Sequence, residues 1–172
     1  MDNLSATLDK LEKQEFHALL KHGLPEEMEK EIRALCVEYW GAYSESRKAM
    51  KSATARKGSA VIQMFSTRMA TVAMQKKDKE CLDLAVVAFD LGNTMEIDFR
   101  DAYGSIAQLA FAATECGVDL VSRAQAVIFD ISPQLIEMLK QPLPPRLARD
   151  DDDNLVFRNP WSAKTQHKIP TP

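Results

Sequence analysis

Apolar residues recur at helical spacing along the first 141 positions and become denser toward the middle of the chain. The stretch from Cys81 to Leu120 holds the two most apolar helix candidates, with Gly92-Asn93 between them. From Ala102 to Thr114 there is no charged residue. A bilayer needs about 20 apolar residues, so this run is too short to cross one. It predicts a central helical hairpin, hydrophobic nearly all round, with amphipathic helices laid against it.

The flanking segments carry helix signals of their own. Leu4, Leu8, Leu11 and Leu19 form one stripe, which predicts a helix from Leu4 to His22 with Asn3 as cap and Gly23 as stop. Pro25 opens a second helix, in which Met28, Ile32, Leu35, Tyr39, Ala42 and Met50 keep helical spacing to about Ala55. Gly41 inside it predicts a close approach by another helix. Gly58 and Ser59 read as stop and N-cap for a third helix carrying Ile62, Phe65, Met69, Val72 and Ala73. Asp78 is placed to cap a fourth, Lys79 to Leu91, which ends at a Gly92-Asn93 turn. A fifth starts near Asp98 with Phe99, Tyr103, Ile106, Ala110 and Ala113, and stops at Gly117. Asp119 and Ser132-Pro133 open two more. No segment alternates as a strand does. Leu84–Phe89 has the composition of a short buried strand, but its helical context and the lack of strand partners make it helix. The expected fold is a single all-α domain, a bundle of about five to seven helices; a helical-hairpin repeat shares these patterns and stays open.

Proline placement sets the domain limits. Six of the eight prolines lie from Pro142 onward, so residues 1–141 form the bundle and 142–172 an extended, acidic C-terminal segment. Asp150 to Asp153 repel one another and stay solvated. Leu155, Val156, Phe157, Pro160 and Trp161 form an apolar cluster that needs burial. It either folds back onto the bundle, the favoured reading, or binds another chain.

Composition excludes more than it assigns. A net charge of −3 argues against a general nucleic-acid binder, and the basic run lacks the interleaved aromatics that stack on bases. Cys36, Cys81 and Cys116 are far apart and sit among apolar residues, as reduced core thiols of a cytoplasmic protein do. The N-terminus lacks the apolar core of a signal peptide. His17 and His22 are five apart, about 140° around a helix, and do not face each other as metal ligands would. There is no zinc-binding helix motif, phosphate-cradling loop or nucleophile elbow. The expectation is a protein without catalytic residues, metal or cofactor.

Four groups of residues are candidates for contact with a protein partner. They are the acidic helix start Glu26, Glu27 and Glu29; the basic Arg47, Lys48 and Lys51; the helix start Asp98, Arg100 and Asp101; and the tail aromatics Phe157 and Trp161. Each has a plainer structural account in dipole matching, capping, solvation or burial. The segment Gly92-Asn93, Asp98-Phe99-Arg100-Asp101, Gly117-Val118-Asp119 resembles a pattern of small all-helical bacterial immunity-type proteins. The resemblance implies neutralisation of a cognate toxin by direct binding. Beside it stand a helical-bundle enzyme or a small-ligand or metal-binding protein, and an oligomeric scaffold or adaptor.

Overall fold

The computed structural model describes residues 2–14, 16–93, 99–128, 130–140, 148–149 and 155–156. For 2, 3, 16, 17, 20, 99–104 and the four tail residues it describes the backbone alone. The predicted tail aromatics Phe157 and Trp161, and the cap Asp98, lie outside the described residues.

Every segment with apolar helical spacing is helical, and two of them are broken. The first is α1 (Asp2–Glu12) and α2 (Phe16–His22). Its apolar stripe lapses over Glu12-Lys13-Gln14-Glu15, so nothing there holds a turn against the core. Gln14 closes the end of α1: its N–H donates to Leu11 O at 3.2 Å and its amide to Lys10 O at 3.3 Å. Asn3 lies inside α1, not ahead of it as expected of a cap. The second is α3 (Glu26–Gly41) and α4 (Ser44–Arg56). After Tyr39 and Ala42 no apolar residue faces the core until Met50, and the chain turns there. Gly41 therefore ends a helix and does not admit one; a Cβ added to it would meet nothing within 4 Å.

Beyond these breaks come α5 (Ser59–Lys76), α6 (Lys79–Gly92), α7 (Phe99–Glu115), α8 (Leu120–Val127) and α9 (Pro133–Leu139), nine helices among the described residues. Three predicted caps form. Asp78 accepts from the N–H groups of Glu80 and Cys81, Asp119 from that of Ser122, and Ser132 from that of Leu135. Ser59 does not cap α5. Gly58 holds that place at a φ of +79°, and a Cβ on it would come within 3.1 Å of Leu11. In the tail, Ala148–Arg149 pairs antiparallel with Leu155–Val156. The whole is one all-α domain.

The centre is α6, and from Leu82 to Gly92 every residue of it is buried. Among the described residues it touches α3, α4, α5, α7 and α8. The partner it follows most closely is α5, and α7 also lies chiefly on α5. The expected α6–α7 hairpin is therefore a three-helix core, with α5 a full member of it. The reason is visible at Gly92. It is a packing glycine inside α6, not a turn: its missing Cβ would stand 3.1 Å from Ile62 and 3.3 Å from the carbonyl of Ser59, both on α5. The remaining helices cover this core with the expected stripes, including Leu4, Leu8 and Leu11 of α1.

Candidate functional site

Two charges interrupt the apolar face of α6. Asp83 and Asp90 stand seven positions apart, about 20° around the helix, so both look out of the same side. Both are buried. A carboxylate out of water needs a cation or donors, and the two have found them on separate peripheral helices, Asp83 on one and Asp90 on two. Asp83 takes a two-pronged contact from Arg123 of α8, Nε to Oδ1 at 2.7 Å and a terminal nitrogen to Oδ2 at 2.6 Å. Asp90 takes the hydroxyl of Tyr39 from α3 on Oδ2 and Lys51 Nζ from α4 on Oδ1, the latter at 3.0 Å. Burial, aided by the adjoining Asp90 carboxylate, pushes the Tyr39 phenol well above its ordinary range, so it remains a donor.

These side chains are anchors. All the contacts just named are internal to the chain, and a groove of about 430 Å³ lies elsewhere, between the end of α2, the outer face of α5 and α7. Leu19, Leu24, Met64, Thr67, Thr71 and Ser105 are among the residues lining it. Among the described residues no three His, Cys, Asp or Glu side chains converge as metal ligands would, and no helix is long and apolar enough to cross a membrane. Burial pushes the Cys36 thiol up to about 12, and those of Cys81 and Cys116 also up, so all three are poor nucleophiles.

The predicted contact residues divide by what they touch. Glu26 and Glu27 lie exposed at the start of α3 beside Lys30, at 3.6 and 3.9 Å. Glu29 is taken by Arg68 of α5. Arg47 is nearly covered. It contacts Asp130 and donates to the carbonyls of Ala42 at 2.8 Å and Trp40 at 3.4 Å, closing the end of α3. Lys51 is held by Asp90. Lys48 alone of that run stays at the surface, 3.4 Å from Glu45. The structure thus separates the basic run into two internal braces and one surface cation. Arg100 and Asp101 fall in the first turn of α7, where the side chains are not described.

One surface feature was not anticipated. Among the described residues, three large apolar side chains remain exposed: Val37 at 57%, Trp40 at 37% and Tyr43 at 88%. All three lie within seven positions, along the outer edge of α3 and the turn into α4. Single exposed apolar residues are commonplace, but three large ones within seven positions are not. By spacing only Val37 stands off the buried stripe of Met28, Ile32, Leu35 and Tyr39; Trp40 and Tyr43 follow the buried Cys36 and Tyr39 at four positions, so the pattern gives no sign of their exposure. Val37 and Trp40 are one helical turn apart, and Gly41 beside them leaves backbone open to approach.

Compared with protein families, with curated proteins and with solved structures, the chain matches none of them.

Proposed function

We propose that this chain is a non-enzymatic protein-binding module, and in the sharper form an immunity- or antitoxin-type inhibitor that neutralises a bacterial, cytoplasmic partner protein by direct contact. The exposed edge of Val37, Trp40 and Tyr43 carries the reading. Trp and Tyr dominate the centres of protein interfaces because they bury much area with little rotamer freedom to lose. Exposed charges on the same two helices, Glu26, Glu27 and Lys30 at the start of α3 and Glu45 and Lys48 in α4, are of the kind that steers encounter and selects partners. The resemblance around Asp98–Asp101 supports the immunity-type form.

The test is capture from the native organism with the wild-type chain and with V37K/Y43S. Both replaced side chains are more than half exposed, so stability should change by no more than about 0.5 kcal/mol. A specific protein retained by the wild type and lost at least tenfold by the variant supports the reading, and a toxin whose activity the wild type suppresses supports its sharper form. Equal capture by both chains, or co-purification of a small molecule or metal in place of a protein, defeats it. The groove beside Met64 and Thr67 favours a second reading, a small-ligand-binding bundle, which native mass spectrometry of the purified chain distinguishes directly.

A further inference from the structure

Both arms of the exposed corner reach inward to one carboxylate. Tyr39 lies between Val37 and Trp40 at the upstream side of the turn, but on the buried face of α3, and its hydroxyl donates to Asp90 Oδ2. Lys51, in the second turn of α4, donates to Asp90 Oδ1. Arg47 ties the carbonyls of the turn between them, but little apolar packing defines it. Tyr43 is exposed, the space at Gly41 is open, and α4 buries only Met50 and Thr54. So small an apolar footing leaves a helix free to pivot, whereas charge-assisted hydrogen bonds are directional and about twice as strong as neutral ones.

We propose that Asp90 is the positioning residue for this edge: its two oxygens fix α3 and α4 relative to each other and so hold Val37, Trp40 and Tyr43 in the arrangement that a protein partner meets. The role of the edge rests on the protein-binding reading above; the positioning itself does not. Arg47 acts at the turn, covering the carbonyls of Trp40 and Ala42 and reaching Asp130 beyond α8. Asp90 acts from beneath, through side chains. An edge set in advance spares a partner the cost of ordering it.

Asp83 supplies the internal control. It sits on the same helix, equally buried, and braces α8 through Arg123 and not the corner. Hydrogen exchange on the full chain, read by peptide, separates the two. In D90N the amide oxygen still accepts from Tyr39, but the amide NH2 and the Lys51 ammonium are both donors, so the α4 arm is released. Exchange over residues 43–51 should rise at least tenfold while that over 120–127 stays at the wild-type rate. D83N should give the reverse. K51M removes the same arm from the other side and should reproduce the D90N pattern; it carries the test alone if D90N does not fold. An unchanged corner, or an equal rise in both regions, overturns the proposal. Capture of the partner by D90N should fall although every exposed residue is intact. If the corner loosens as expected but V37K/Y43S still captures the partner in full, the binding reading fails and the positioning role stands.

Discussion

At the scale of single residues, the interior is settled by how its polar atoms are met. Ser66 donates to Ala85 O at 2.7 Å and Gln63 to Phe89 O at 3.2 Å, tying α5 to α6 through polar side chains. Three buried atoms among the described residues are exceptions: the amide oxygens of Gln63 and Gln108, and the hydroxyl of Thr54. Thr54 is fully buried, and its hydroxyl has no hydrogen-bond partner among the described residues. Removing an unmet buried hydroxyl while keeping the shape gains its desolvation cost. Thr54→Val should therefore raise stability by about 1 kcal/mol, read as the shift in urea midpoint at constant slope. Little of this polar interior was legible in the sequence. Asp83 and Asp90 stand out in the run Leu82–Leu91 as charges among apolar residues, but a sequence does not show which distant Arg123, Lys51 or Tyr39 will reach them. The exposed edge was hidden for the opposite reason. Trp40 and Tyr43 resemble core residues in composition, and only the finished packing leaves them outside.

At the scale of the helix, local signals were legible in part: Asn3 and Ser59 do not cap, and three others do. Asp78, Asp119 and Ser132 cap as their spacing required, because capping joins groups two or three residues apart. The breaks at Glu12–Phe16 and Gly41–Ser44 were harder to see. Neither needs a proline; each occurs where the apolar stripe lapses and tertiary support stops. Gly92 shows the limit of reading a glycine as punctuation. An alanine in its place would gain helix propensity, about 1 kcal/mol, yet its methyl would press on Ile62 and on the backbone carbonyl of Ser59, which cannot turn aside as a side chain can. The contact should outweigh the propensity. Gly92→Ala is expected to lower stability by a net amount of about 1 kcal/mol, measured by chemical denaturation. A melting point above that of the wild type would show that α5 can yield.

At the scale of the whole molecule, the apolar density of the middle third correctly indicated where the interior lies, and α5 was undervalued because its polar outer face disguises a heavily buried inner one. Capping and paired carboxylates on the outer shell contribute to the response to pH. Backbone N–H bonds hold the Asp78 and Asp119 carboxyls below the usual carboxylate range, and the bond from Lys57 does the same for Asp9. These groups bind protons less readily folded than unfolded, so their contribution is complete above about pH 5 and is lost as pH falls through their lowered folded values. Lys57 is displaced upward by Asp9, so its share is present below its unfolded value and is lost only in strong alkali. Urea midpoints taken from pH 3 to pH 7 should rise and then level off. The double variant D78N/D119N, whose amides still cap, should flatten that rise; an unaltered slope would mean that other carboxylates govern acid sensitivity. The paired carboxylates of α6 have one more consequence. Sliding this central rod by a single turn would carry each charge about 5.4 Å from its mate and strand both in oil at once. Grease alone would tolerate several such settings of so uniformly apolar a helix. Two pegs at fixed separation permit one, and so choose the native alignment from among neighbours that burial by itself would scarcely distinguish.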